Sequence, residues 1–149
     1  MNEQQLYEEL VMRLELLRRN RGSSLRLEEE PQERVIRISS KRSSGAARVV
    51  IEVEREDLLG VTIGEAAHFE LYGKRGDIDL PDEAIDWVEA VLRGGFTETI
   101  FWRKNEIAKS ELRIAVKGSS QRITYHRGVS SLLPHGRLRK EERNYHAYP

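Results

Sequence analysis

Asp77–Trp102, DIDLPDEAIDWVEAVLRGGFTETIFW, reads in order as a loop, an amphipathic helix, a glycine stop and a β-prone strand. Pro81 has a fixed φ that suits a first helical turn, and Asp82 and Glu83 place negative charge at the positive end of the helix dipole. Gly94 and Gly95 follow Arg93, the usual exit from a helix through left-handed backbone. At about 100° per residue, Ala84, Ile85, Val88, Val91 and Leu92 share an arc of roughly 120°. Asp82, Asp86, Glu89 and Arg93 lie opposite, and Trp87 sits on the shoulder of the apolar arc. The stretch therefore predicts a helix over about 81–93, a rod of roughly 20 Å that crosses a sheet of about four strands.

Working outward, the chain before this helix changes period once. Residues 3–19 are expected as a first helix, with Leu6, Leu10, Leu14 and Leu17 on one face and Tyr7 and Val11 widening it. Met12 and Leu16, four apart, fall outside that arc. A helix with a second apolar stripe is buried on two sides or joined to something else, so these two residues are a candidate dimer seam. After Gly22 the pattern alternates. Leu25/Leu27 and Ile36/Ile38 predict a hairpin, Val49/Ile51/Val53 a third strand, and His68–Tyr72 a fourth. Residues 55–65 read as a short turn of helix or a crossover.

Beyond the helix, Phe96–Trp102 is an expected strand with Phe96, Ile100 and Trp102 on one face and Thr97, Thr99 and Phe101 on the other. Residues 103–110 read as a loop, followed by strands around Leu112–Val116 and Ile123–Tyr125, joined as an antiparallel meander. From Gly128 no period is sustained. The expected architecture is α+β: one domain over 1–127, an antiparallel sheet of six or seven strands, an N-terminal helix, and the central helix packed on the sheet. Residues 128–149 are expected as a basic tail, mostly disordered or loosely docked.

Composition narrows the classes. The 149 residues suffice for one core, and the absence of cysteine excludes disulfides, thiolate metal sites and cysteine nucleophiles. No run of about 18 apolar residues is present, and the acidic, amphipathic N-terminus is unlike a secretory signal, so a cytoplasmic location is expected. Charge is balanced at 25 basic and 25 acidic residues but unevenly placed: Arg127–Pro149 carries a net +3 and the preceding chain −3. The body has no general pull toward polyanions; the tail has a modest one.

The catalytic motifs sought are missing. No phosphate-binding loop, nucleophile elbow or HExxH helix occurs. Asp77, Asp79 and Asp82 cluster before the central helix, but the twelfth position from Asp77 is Val88, so no EF-hand loop results and no metal or other cofactor is expected. Strand alternation puts His68, Glu70 and Tyr72 on one face, about 7 Å apart in succession. With Trp87 and Phe101, these residues are the expected partner-binding surface, aromatics ringed by charge being suited to protein partners. The leading expectation is a non-enzymatic protein-binding module, a bacterial immunity- or antitoxin-like protein that occludes a partner. One alternative is a nucleic-acid-associated regulator using the basic tail, and another a small acid–base enzyme using His68 and Glu70. The expected partner is another protein or a second copy, with no membrane and no nucleic acid.

Overall fold

Alternating strands and two helices are arranged in a computed structural model that describes residues 1–21, 24–73, 79–127 and 138–149. The fold is α+β, but its strands divide between two antiparallel sheets instead of forming one of six or seven. The first is a five-stranded meander, β1 (Leu25–Glu30), β2 (Val35–Ser40), β3 (Val49–Arg55), β4 (Leu58–Ile63) and β5 (Ala67–Tyr72). The second has the order β8-β7-β6-β9, with β6 Phe96–Arg103, β7 Glu106–Val116, β8 Ser119–His126 and β9 Arg139–Tyr145.

Helix α1 (Glu3–Arg21) opens on a reciprocal cap: Asn2 Oδ1 accepts from the Gln5 amide at 2.8 Å, and Gln5 Oε1 accepts from the Asn2 amide at 2.9 Å. Its Leu6, Tyr7, Leu10 and Leu14 are buried against β1, β3 and the second helix. Helix α2 (Leu80–Arg93) buries more than the arc its sequence marks, since Leu80, Trp87 and Ala90 are enclosed as well. The reason is that α2 touches α1, β5 and β7, so it is covered by more than one layer. The inner face of the five-stranded sheet, Ile36, Ile38, Val49, Ile51, Val53, Leu59, Val61 and Ile63, completes the core with Phe96, Leu112 and Ile114 from the second sheet. Burying such side chains at roughly 25 cal/mol per Å² is the main driving force.

Three segments differ from the sequence reading, each for a local reason. Residues 58–63 are a strand, paired Val49↔Ile63, Ile51↔Val61 and Val53↔Leu59. LLGVTI is buried on both faces over most of its length, which erases the alternation that marks a half-exposed strand. Residues 103–110 are not a long loop: the chain turns at Lys104–Asn105, with Lys104 at φ 55°, and β7 begins at Glu106. A register shift at Phe101/Trp102 hides this hairpin from a strict period of two.

The C-terminal segment is the largest difference. Arg139–Tyr145, expected in a loose tail, pairs along β6 from Phe96↔Tyr145 to Trp102↔Arg139. The chain then continues into the body. The Gly95 amide donates to the Tyr145 carbonyl at 2.9 Å, the His146 amide to Gly45 at 2.9 Å, and the Tyr148 amide to Leu92 at 2.9 Å. Tyr148 is buried. A Cβ on Gly94 (φ 66°) would stand 2.1 Å from the Ala147 nitrogen, so the end of α2 is shaped to let this segment cross it. An unbroken run of charged residues, Arg139–Arg143, gives β9 no apolar face, which is why it escapes a hydrophobic pattern. Residues 128–137 of the expected tail lie outside the described residues.

Candidate functional site

Both helices cover the inner face of the five-stranded sheet, so its outer face is where polar residues gather. Register sets them in rows: Glu28, Arg37, Val50, Thr62 and His68 in one, and Glu30, Val35, Glu52, Gly60 and Glu70 in the next. Tyr72 follows, opposite Leu58. His68, Glu70 and Tyr72 are thus brought onto one face, as alternation expects.

The chemistry of the three is specific. His68 Nδ1 lies 2.9 Å from Thr62 Oγ1, and its ring meets Tyr125 of β8 edge-on at 5.8 Å. Gly60 leaves open the space beside it, which the Glu54 carboxylate fills, 2.5 Å from where a Cβ would stand. Glu70 turns the other way and accepts the Tyr72 hydroxyl proton in a short hydrogen bond. That hydrogen bond is the first cause of a Tyr72 phenol held above its ordinary pKa. Glu70 is therefore paired with Tyr72 and not with His68, and Tyr72 stays 53% exposed. The face offers a carboxylate surface with one aromatic anchor.

The remaining candidates are dispersed. Trp87, expected at a binding surface, is 7% exposed and packs on Phe69 with ring centroids 4.4 Å apart; the shoulder of the helix is covered because β5 lies against it. Phe101 stands on the outer face of the other sheet, half-buried under the Lys109 ammonium at 5.1 Å. Met12 and Leu16 are each 58% exposed on α1. Asp79 and Asp82 both bind Arg13, the former at 3.1 Å, while Asp77 lies outside the described residues. Among the described residues no group of three or more His, Asp or Glu could hold a metal ion.

The basic residues of β9 are largely engaged. Arg139 stacks over Trp102 at 5.3 Å, and Arg143 binds Glu65 at 3.0 Å and Glu141 at 3.4 Å. The Trp102 indole donates to Glu141 at 3.0 Å, the first cause of a Glu141 pKa below the ordinary range.

One residue that sequence reasoning passed over holds the molecule together. Glu98 of β6 is 0% exposed and accepts five hydrogen bonds: from the amides of Glu65, Ala66 and Ala67 at 2.9, 3.0 and 3.0 Å, from Ser110 Oγ at 2.9 Å, and from the Tyr145 hydroxyl at 2.6 Å. Three successive amides of the β4–β5 turn form a nest for the carboxylate. Gly64 (φ 71°) makes room, because a Cβ there would lie 2.5 Å from Glu98 Oε1. Glu98 thereby ties the turn of one sheet to three strands of the other. Burial, then the bond to Glu98, pushes the Tyr145 phenol far above its ordinary pKa. The available signal was alternation: Glu98 falls between Phe96 and Ile100 on the buried face.

A cleft of about 350 Å³ opens beside this knot, lined by Ser40, Ser43, Ser44, Arg48, Glu65 and Arg143 among others. His68, Glu70 and Tyr72 do not line it. No described helix is long and apolar enough to cross a membrane. No family model, curated protein or solved structure matches the chain.

Proposed function

We propose that this chain is a non-enzymatic protein-binding module that occludes a basic surface of its partner, in the manner of an immunity or antitoxin-like protein. The observation that carries the reading is the open outer face of the five-stranded sheet. Glu28, Glu52, Glu54 and Glu70 stand there, and the described residues give none of them an ion pair, while Arg37 on the same face binds Glu30 at 3.2 Å. Tyr72 rises at the β5 end of this field, an exposed aromatic with Glu70 and Glu54 near it on the acidic side and Arg55 on the basic side. Such a face favours a cationic partner by steering and by exclusion of acidic competitors.

The experiment is capture from the native cell with nuclease treatment, using the wild-type chain, the Glu52→Lys/Glu70→Lys variant, and Arg113→Glu on the other sheet as control. Support is a basic protein held by the wild type and the control, released steeply as salt rises, and lost from the double-lysine variant. A partner retained equally by the double-lysine variant overturns the assignment of the face. Nucleic acid recovered instead overturns the protein-binding reading.

A further inference from the structure

The outward stripe of α1 is complementary to itself. Placed on a helical wheel, Gln5, Glu8, Met12, Leu16 and Arg19 fall within an arc of about 80°, opposite the buried Leu10 and Leu14. All five are exposed, with Met12 and Leu16 at 58% each. Met12 and Leu16, one turn apart, set two large apolar side chains side by side in water, outside the face that the core uses.

Its charges are ordered along the axis. Glu8 lies one turn before Met12 and Arg19 one turn after Leu16, and neither has an ion pair among the described residues. The acids nearby are otherwise occupied, Glu9 by Arg13 at 2.8 Å and Glu15 by Arg18 at 2.7 Å. Two such helices laid antiparallel about residue 14 set Met12 beside the Leu16 of the other copy. Glu8 then faces Arg19 at both ends of the seam. A parallel pair would set Glu8 against Glu8 and Arg19 against Arg19, so charge selects one orientation. A shallow groove lined by Met1, Gln5, Glu8, Glu9 and Met12 lies where the second copy would bring Leu16 and Arg19, an apolar and a cationic side chain into an apolar, acidic seat.

We infer that this face of α1 is the interface of an antiparallel homodimer, two-fold symmetric through the Met12/Leu16 seam. One helix face buries less than the roughly 800 Å² per partner of a standard interface, so the dimer is of moderate affinity and dissociates on dilution. It leaves the acidic sheet face free, on the far side of the core from α1.

Sedimentation velocity on the full chain over a range of concentrations tests this. The expected result is a mass that rises from 17.3 kDa toward roughly twice that value as concentration increases. Leu16→Lys, at an exposed position that folding does not use, is expected to hold the chain monomeric. Glu8→Arg and Arg19→Glu are each expected to weaken association about tenfold, and the Glu8→Arg/Arg19→Glu double variant to restore it. A chain that stays monomeric at every concentration overturns the inference, as does a dimer that Leu16→Lys leaves intact. Failure of the double variant to recover overturns the antiparallel register.

Discussion

Two glutamates of this chain each accept a hydrogen bond from a tyrosine, and in all else they differ. Glu70 binds Tyr72 two residues away, both on an open sheet face. Glu98 binds Tyr145, 47 residues distant, in the interior, with four further donors around it. In water a carboxylate–phenol bond adds little, because solvent competes for both groups. In the interior the same bond is one of several that together replace the whole solvation shell of the carboxylate. Placement of the surrounding donors therefore decides whether a Glu–Tyr pair is enclosed in the fold or stays open to solvent. The chain uses one of each.

The sharpest way to break the contrast is to delete Glu98. Glu98→Ala leaves three amides, a hydroxyl and a phenol without their acceptor, at roughly 1–3 kcal/mol for each donor that water fails to reach. We expect a loss of about 4 kcal/mol or more by denaturant titration, against less than about 0.5 kcal/mol for Glu70→Ala. Similar losses for the two would show that the Glu98 knot is solvated. Next is Gly94→Ala, whose added methyl would collide with the backbone at Ala147. An expected loss of about 3 kcal/mol, with faster proteolysis of the C-terminal segment, would show that the backbone seat at Gly94 holds β9 and the residues after it in place.

Removing only the phenol is milder. Tyr145→Phe deletes one of the five bonds to Glu98 and should cost about 1.5 kcal/mol at neutral pH. The same residue predicts a pH dependence. Burial and Glu98 raise the folded pKa of Tyr145, and burial alone raises that of Tyr148, both from an ordinary 10.0. Above that value the unfolded chain gives up protons that the folded chain keeps, so their stabilisation is whole below pH about 10 and is lost as pH rises further. Melting temperature should therefore fall above pH about 10, and less steeply in Tyr145→Phe/Tyr148→Phe. An unchanged alkaline slope in the double variant would remove these phenols as the cause.

The two glutamates also mark what the sequence makes legible. Ala84, Val88, Val91 and Leu92 repeat with a helical period because one face of α2 meets apolar neighbours, and such a pattern is local. His68, Glu70 and Tyr72 share a face by alternation alone, so their placement was readable without any structure. The Glu98 knot was not. Its donors come from the 65–67 turn, from Ser110 and from Tyr145, and no local period links them. Trp87 shows the opposite error: a wheel gives its angle on α2, but β5, which covers it, is a feature of the packed layers. For the second sheet, the strands near 96–102, 112–116 and 123–125 were legible, while its separateness and its fourth strand were not, for the same kind of reason. Its strand β9 is recruited by pairing with β6 and by the backbone seat at Gly94, neither of which leaves an apolar signature.

The smallest expected effect on stability falls on the exposed pair and sharpens the comparison most. Tyr72 is 53% exposed, and its hydroxyl finds water as readily as it finds Glu70 once either side chain is changed. Tyr72→Phe should leave the unfolding free energy within about 0.5 kcal/mol of the wild type. Tyr72→Ala should do the same while removing the aromatic anchor, and capture of a basic partner should weaken about tenfold or more. The two variants separate the ring from the hydroxyl: retention by Tyr72→Phe with loss by Tyr72→Ala makes the ring the anchor. Equal loss by both would assign the contact to the hydroxyl and its carboxylate. A destabilisation of several kcal/mol by either would mean that Tyr72, like Tyr145, belongs to the structure and not to the binding face.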